Sequence, residues 1–404
     1  MSVPAGCPST ILVAHNFYRR AGGEDVVFAA ETALLRAHGH TVIQCVEDNR
    51  AVQGVDRFAA GLGATWSWTS WARMRRMIEE HRPDVVHLHN TFPLISPSVY
   101  YAARAAGIPV VQTLHNYRLL CPSALLYHDG RVCEDCLGRL VPWPGVAHGC
   151  YRDSRTVTGV VATMLTVHRL VRTWSRMVDA YIVLTEFARG KLVQGGLPAA
   201  KLLVKPHFVD PDPGPGAHEG GFALFVGRLT LEKGVRTLLA AWELLAGRVP
   251  LKIVGDGPLA GEVARAVKQL SCVEWLGARS GAEVSELMGR ARLLVVPSEW
   301  YETFGRVVIE AYARGTPVLA SNLGAVAELV EPGRTGLLFA PADPPALAAA
   351  VSSVWEHPST LESMSGAARL AYESRYTAPG NYRRLMEIYA AAGVPATRVE
   401  SRGS

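Results

Sequence analysis

The chain has 404 residues, 49% apolar and 19% charged, which excludes intrinsic disorder and exceeds one ordinary core, so two domains are expected. No run approaches the roughly 20 apolar residues of a bilayer-spanning helix, and Met1 to Ser9 lacks the basic-then-apolar pattern of a signal peptide, so cytoplasmic residence is the default. The net charge of +5 is uneven: residues 1–205 hold 22 Lys/Arg against 15 Asp/Glu, the remainder 19 against 21. A basic first half suits a phospholipid surface, a lipid-linked phosphate or a nucleic acid, and equally an arginine-rich composition without a partner.

In chain order, Thr10–Ala14 is a short apolar run of the kind that forms a buried parallel strand. A loop with adjacent Gly22 and Gly23 follows, and Glu24–His38 carries apolar residues at helical spacing before stopping at Gly39. Strands are predicted at Thr41–Cys45, Asp84–Leu88, Pro109–Thr113 and Tyr181–Leu184, with a helix at Tyr100–Ala106. Such alternation predicts a parallel sheet covered on both faces. Residues 206–220 turn to Pro, Gly and Asp and read as a hinge. Beyond it, strands are predicted at Phe222–Val226, Leu251–Gly255, Val273–Leu276, Leu293–Pro297, Pro317–Ala320 and Gly336–Phe339. Helices separate them at Lys233–Leu245, Pro258–Gln269, Gly281–Gly289, Gly305–Arg314 and Pro345–His357. The fold class expected is α/β, as two doubly wound Rossmann-like domains facing across a cleft, with ligands beyond the carboxyl ends of the strands.

Two strand-to-helix loops in the second half carry the strongest chemistry. In Gly227-Arg228-Leu229-Thr230-Leu231-Glu232-Lys233-Gly234, two cations flank a helix start, where backbone amides already favour an anion such as a diphosphate. A surface lysine and an interface arginine are the plainer alternatives. In Pro297 to Ala311, the amides around Phe304 and Gly305 form a second such cradle, and Glu302 and Glu310 offer bidentate acceptors for sugar hydroxyls. Glu302, Arg306 and Glu310 at i, i+4 and i+8 could also be only an ion-pair ladder.

These residues bring a family into view. GRLTLEKG, VGDGP, ETFGRVVIE and RGTPVLASNLGAVAELV resemble the donor domain of the GT-B glycosyltransferases of family 4, and HNFYRRAGGEDVV, PDVVHLHN and TLHNYRLLCP fit its first half. The resemblance implies a retaining, nucleotide-sugar-dependent transferase with a UDP-, GDP- or other NDP-sugar donor. Its acceptor would be a glycan, a lipid-linked sugar or a small molecule, as in polysaccharide biosynthesis, with no nucleic-acid partner. It implies that Arg228 and Lys233 bind the donor diphosphate, that Glu310 holds the ribose, that Glu302 lies near the transferred sugar and that the Gly257 turn lines the nucleotide. It likens Gly22 and Gly23 to a glycine loop closing over phosphate and acceptor, a place where glycine allows close approach and positive φ. By the same resemblance His115 contacts donor sugar or acceptor, with a general-base or orienting role; a structural histidine at a strand end is the alternative. His87 and His89 suit packing or acceptor-side shape. No catalytic metal is expected, since two cations and a helix dipole face the phosphates and no Asp-x-Asp is placed to ligate one. A GT-B epimerase, a phosphorylase and a non-catalytic polyanion-binding protein remain alternatives.

The resemblance also frames the domains: 1–205 on the acceptor side, a hinge at 206–220, a donor domain at 221–374, a helix at 375–393 returning to the first domain, and a flexible tail at 394–404. Cys121, Cys133, Cys136 and Cys150 lie in an insert spanning about 118–152, with a central Cys-x2-Cys typical of half a structural zinc site. His128 and His148 are substitute ligands; free thiols, disulfides and an iron–sulfur cluster are the alternatives. Finally, Trp66, Trp68 and Trp71 precede Arg73, Arg75 and Arg76, and Arg169, Arg172 and Arg176 surround Trp174. Tryptophan with arginine on an amphipathic surface suits peripheral contact with the inner face of a membrane, and core tryptophans beside a solvated arginine face are the alternative.

Overall fold

The computed structural model describes residues 9–18, 22–49 and 63–394, so residues 395–404 of the expected tail lie outside it. Contacts divide the chain into two compact units, one of residues up to 125, 134–205 and 381 onward, the other of residues 126–133 and 206–380.

The first unit contains β1 (Thr10–Phe17), β2 (Thr41–Asp48), β3 (Val85–Asn90) and β4 (Val110–Thr113). A two-stranded hairpin, β5 (Tyr127–His128) with β6 (Arg131–Val132), comes next in the chain. The first sheet is then completed by β7 (Ala180–Val183) and β8 (Leu202–Val204), in the order β2-β1-β3-β4-β7-β8. Its pairings are parallel. Ile11 to Ala14 are buried on both faces of β1, which is why that strand reads as a run and not an alternation. Pairing with β2 carries β1 three residues past the predicted end, through Phe17 opposite Asp48, and so brings His15 and Asn16 into the interior. The helix Gly23–Ala37 covers one face with Val27, Phe28, Leu34 and Leu35. From the last helix, Ala378–Ala391, the side chains of Leu385, Ile388 and Tyr389 join the same core as Ile11, Val13 and Phe28.

The second unit holds β9 (Ala223–Val226), β10 (Leu251–Val254), β11 (Val273–Gly277), β12 (Leu293–Val296), β13 (Val318–Ser321) and β14 (Gly336–Phe339). These form a parallel sheet in the order β11-β10-β9-β12-β13-β14. Trp242, Leu238 and Leu245 of the helix Val235–Leu245 pack with Phe225, Ile253 and Val295. The order changes direction at β9 and β12, whose ends carry the two cation- and glutamate-bearing loops, the switch point where such sheets bind ligands.

Polar burial in the first unit is unusually dense. Lys205 is 1% exposed and its ammonium lies 2.8 Å from Glu31 and 2.9 Å from Asn381. Burial alone would raise the Glu31 carboxyl; Lys205 and the neighbouring His87 and His89 overcome it and hold it well below the usual range. Desolvation pushes His15 down to about 4 and His87 to about 3. Both imidazoles therefore fold neutral and must take up protons on unfolding once the pH drops below about 6.5. Since the unfolded state then binds more protons, the stability that these two neutral imidazoles contribute is full above about pH 6.5 and falls as pH drops toward 4 and then 3. Urea titrations at steps between pH 7 and 4 should show the midpoint falling throughout that window, and His87→Gln should flatten the slope.

Candidate functional site

In the second unit the Gly227–Gly234 loop is built by close backbone contact. Leu229 N–H donates to Asp256 O at 3.0 Å, and Leu259 N–H donates to Leu229 O at 2.9 Å, so the first loop is pinned against the Gly255–Pro258 turn. A Cβ on Gly257 would stand 2.6 Å from Leu229 O, and one on Gly255, with φ +141°, 1.9 Å from Gly227 O. Gly257 is thus required by packing of the turn itself. Gly234, at φ +68°, starts the helix Val235–Leu245 and would place a Cβ 1.8 Å from Pro297 O. A Gly234→Ala variant must move one loop or the other. A melting-temperature loss of several degrees together with loss of nucleotide-induced stabilisation is expected in a thermal-shift assay.

Pinned loops present their charges unequally. Arg228 is largely exposed and, among the described residues, its one ion pair is with Glu232 at 3.6 Å, leaving its guanidinium fork accessible to an anion. Lys233 lies 2.8 Å from Glu302, whose buried carboxylate also accepts from Ser298. Burial would raise Glu302; Lys233 foremost, then Ser298 and Trp300, hold it below the ordinary carboxylate range. Glu302 therefore aims the lysine. The ladder reading dissolves into two separate pairs, Lys233 with Glu302 and Arg306 with Glu310 at 2.9 Å. Glu310 sits on the helix Arg306–Ala313, and burial raises its carboxyl against the opposing pull of Arg306. Gly305 caps that helix at φ +93°, a conformation that only glycine takes without strain. Phe304 is core: it is 3% exposed and its ring packs against His207 and Tyr376, so only its backbone can face a ligand.

In the first unit the glycine loop departs from expectation. Gly22 is extended at φ −131°, neither Gly22 nor Gly23 has a positive φ, and among the described residues nothing lies within 4 Å of where a Cβ would stand on either. The turn is held instead by Asp25, which accepts from Gly22 N–H at 2.9 Å and meets His15 Nε2 at 2.8 Å. Next to it, Glu24 accepts from Asn116 at 2.8 Å, and burial lifts its carboxyl to about 7 against hydrogen bonds from Asn116 and Tyr18. Sequence reasoning quoted Glu24 but gave it no role; a carboxylate directly after paired glycines at a helix start was the available signal.

His115 follows β4 and is buried. Its Nε2 lies 3.1 Å from His89 Nδ1, and His89 Nε2 lies 3.3 Å from Glu31 Oε1. Glu31 Oε1 faces His89 Nε2 as a charge contact, while His89 Nδ1 and His115 Nε2 share one hydrogen bond, donated by whichever ring carries the proton there. His89 is thus more than packing: it is hydrogen-bonded to His115 and orients that ring. Glu31, His87 and His89 bring ligand atoms within 4.8 Å of one another, as metal donors do. The Lys205 ammonium already supplies the positive charge there, so this cluster is an ion-pair network.

Of the four insert cysteines, Cys121 and Cys136 are buried, Cys133 and Cys150 half-buried, and none is in a disulfide. Gly145 N–H donates to Cys136 Sγ at 3.2 Å. Arg169 turns inward, its guanidinium donating to the carbonyls of Leu119, Leu120, Arg139 and Leu140. It staples the insert, and neither it nor the buried Trp174 forms the outward face suggested by sequence.

Two parallel sheets with phosphate-type loops at the strand ends define the GT-B class of glycosyltransferases, and solved structures agree. The fold matches Anabaena Alr3699/HepE in complex with UDP and glucose at a TM-score of 0.68 and 20% identity, covering 95% of this chain and 99% of that one. It matches the sucrose-phosphate synthase of Thermosynechococcus elongatus at 0.69 and 17%, covering 95% and 98%. Residues 18–213 match the family model Glycosyltransferase Family 4, and residues 221–357 match Glycosyl transferases group 1. A glycogen synthase of Mycobacterium tuberculosis is 31% identical over 322 residues, 77% of this chain and 69% of that protein. A GDP-mannose-dependent alpha-mannosyltransferase of the same organism is 33% identical over 270 residues, 66% of this chain and 63% of that protein. The chain belongs to the family 4 glycosyltransferases and is a glycosyltransferase enzyme. Among the described residues no helix is long and apolar enough to cross a membrane.

Proposed function

We propose that the protein transfers a hexose from a UDP- or GDP-sugar to a glycan or lipid-linked acceptor, with retention of anomeric configuration. The carrying observation is the Lys233–Glu302 pair beside an exposed Arg228 at the start of a helix, an arrangement suited to a diphosphate leaving group. Arg228 and Lys233 with the local amides would stabilise the departing diphosphate, and Glu310 would accept from the ribose hydroxyls. On the acceptor side, His115 and Glu24 would orient or take the proton of the incoming hydroxyl. The relative named for GDP-mannose and the structure holding UDP and glucose support these donor classes, and the transferase names of the relatives do not favour an epimerase. Retention rests on the family resemblance. It is tested by proton NMR of sugar released from an α-linked donor: α-anomer forming first supports the reading, and β-anomer first overturns it.

For the insert, the reading carried forward is a structural zinc held by Cys121, Cys133, Cys136 and Cys150. It is supported by the amide donating to Cys136 Sγ, a bond that favours thiolate. Metal analysis of purified protein should give close to one zinc per chain, lost in Cys133→Ser.

A further inference from the structure

The described residues expose few large apolar side chains, and six of the most prominent fall in three segments of the first unit: Trp68, Leu140, Val141, Trp143, Leu170 and Val171. Trp68 is 69% exposed, Leu170 60% and Trp143 59%. The segments are physically joined. His168 Nε2 lies 2.8 Å from Thr65 O, Tyr101 bridges Trp66 by ring contact and Thr173 by a 2.8 Å hydrogen bond, and Arg169 binds the carbonyls of Arg139 and Leu140. Unpaired apolar groups standing in water on tied segments cost free energy that a partner would recover.

Charge identifies the partner. Residues 63–78, 136–152 and 154–178 contain nine arginines, and the acidic residues that flank them directly are Glu79, Asp135, Asp153 and Asp179. Glu47 and Glu79, from outside these stretches, pair with Arg73 and Arg75. Among the described residues no carboxylate pairs with Arg139, Arg172 or Arg176, all exposed. Arg139 lies 5.6 Å from the centre of the Trp143 ring, and Arg172 stands beside Leu170 and Val171 at φ +58°, in the left-handed region. Exposed tryptophan and leucine beside arginines that no carboxylate neutralises match the interface of a bilayer carrying anionic headgroups. An interface with protein would normally set carboxylates among such cations.

We infer that Trp68, Trp143, Leu140–Val141 and Leu170–Val171, with Arg139, Arg172 and Arg176, form a docking surface for an anionic lipid bilayer. The apolar groups enter the headgroup region and the three arginines contact lipid phosphates. This is independent of the donor assignment, because none of these residues lies in the unit that holds Arg228, Lys233 and Glu310.

Co-sedimentation of the full chain with vesicles of phosphatidylcholine containing about a third phosphatidylglycerol tests it, with pure phosphatidylcholine as the comparison. Binding should be strong to the anionic vesicles, at least tenfold weaker to neutral ones, and weakened but not abolished by salt. Trp143→Ser combined with Leu170→Ser should cut partitioning at least tenfold, and Arg172→Glu by about fivefold or more, while nucleotide-sugar thermal shifts stay at the wild-type value. Intact thermal shifts show the variants folded and keep a failure here separate from a failure of the donor reading. Wild-type protein that ignores anionic vesicles overturns the inference. So do variants that bind as the wild type does, loss of self-association in the double variant without loss of vesicle binding, or retention on a soluble polyanion equal to that on vesicles.

Discussion

A Lys233→Ala enzyme should turn over its donor about 10²–10³-fold more slowly, the loss typical of removing one preorganised group from a developing oxyanion. The geometry makes the effect specific. The ammonium is aimed by the buried Glu302 carboxylate at 2.8 Å and reached through a glycine, Gly234, whose Cβ would collide with Pro297 O. Removing the lysine also strands Glu302 as a buried charge, so a second variant, Lys233→Ala with Glu302→Gln, separates the two consequences. It should regain stability but not turnover. Recovery of turnover in the double variant would mean that Lys233 serves only to neutralise Glu302.

Stability is where Glu31 should show. Glu31→Ala leaves the Lys205 ammonium uncompensated in the interior, and about 3–5 kcal/mol of folding free energy should be lost. The same change removes the carboxylate beside His89, the hydrogen-bond partner of His115. Replacing both charges, Glu31→Leu with Lys205→Met, should cost less than either single loss, because no ion is then buried alone. Urea denaturation read by hydrogen exchange at Ile11 to Val13, in the strand whose core the Glu31-bearing helix joins through Phe28 and Leu35, measures both. A single Glu31 variant within about 1 kcal/mol of wild type would show that water reaches Lys205.

Most of the architecture was legible because buried parallel strands read as apolar runs punctuated by glycine. In the second unit each predicted strand lies within one or two residues of the observed one. The helix Arg155–Leu170 was not anticipated. Its Thr- and Val-rich sequence has the composition of a strand, and it is helical because Ser154 caps it and Val161, Ala162 and Leu165 are buried. The short β8, the hairpin β5–β6 and the helix Pro358–Arg375 were also missed, lacking strong period or length. At the site, the identities of Arg228, Lys233, Glu302 and Glu310 were readable from two loops. Their pairing was not, because Lys233 and Glu302 are 69 residues apart in the chain and meet only once β9 and β12 lie side by side. The Glu31–His89–His115 chain was illegible for the same reason: three elements each contribute one residue to it. Gly22 and Gly23 show the reverse hazard, a glycine pair suggesting positive φ where neither residue has one and the backbone is extended at Gly22.

The central claim is that the second unit grips a nucleotide-sugar through Arg228, Lys233 and Glu310. Its most direct test is a thermal-shift titration with UDP-, GDP-, ADP- and dTDP-sugars on wild type and Glu310→Ala. One nucleotide-sugar class should raise the wild-type melting temperature by several degrees, and the Glu310→Ala shift at equal concentration should be largely gone. Wild-type protein unmoved by every nucleotide sugar, or a Glu310→Ala protein that responds as the wild type does, would contradict it.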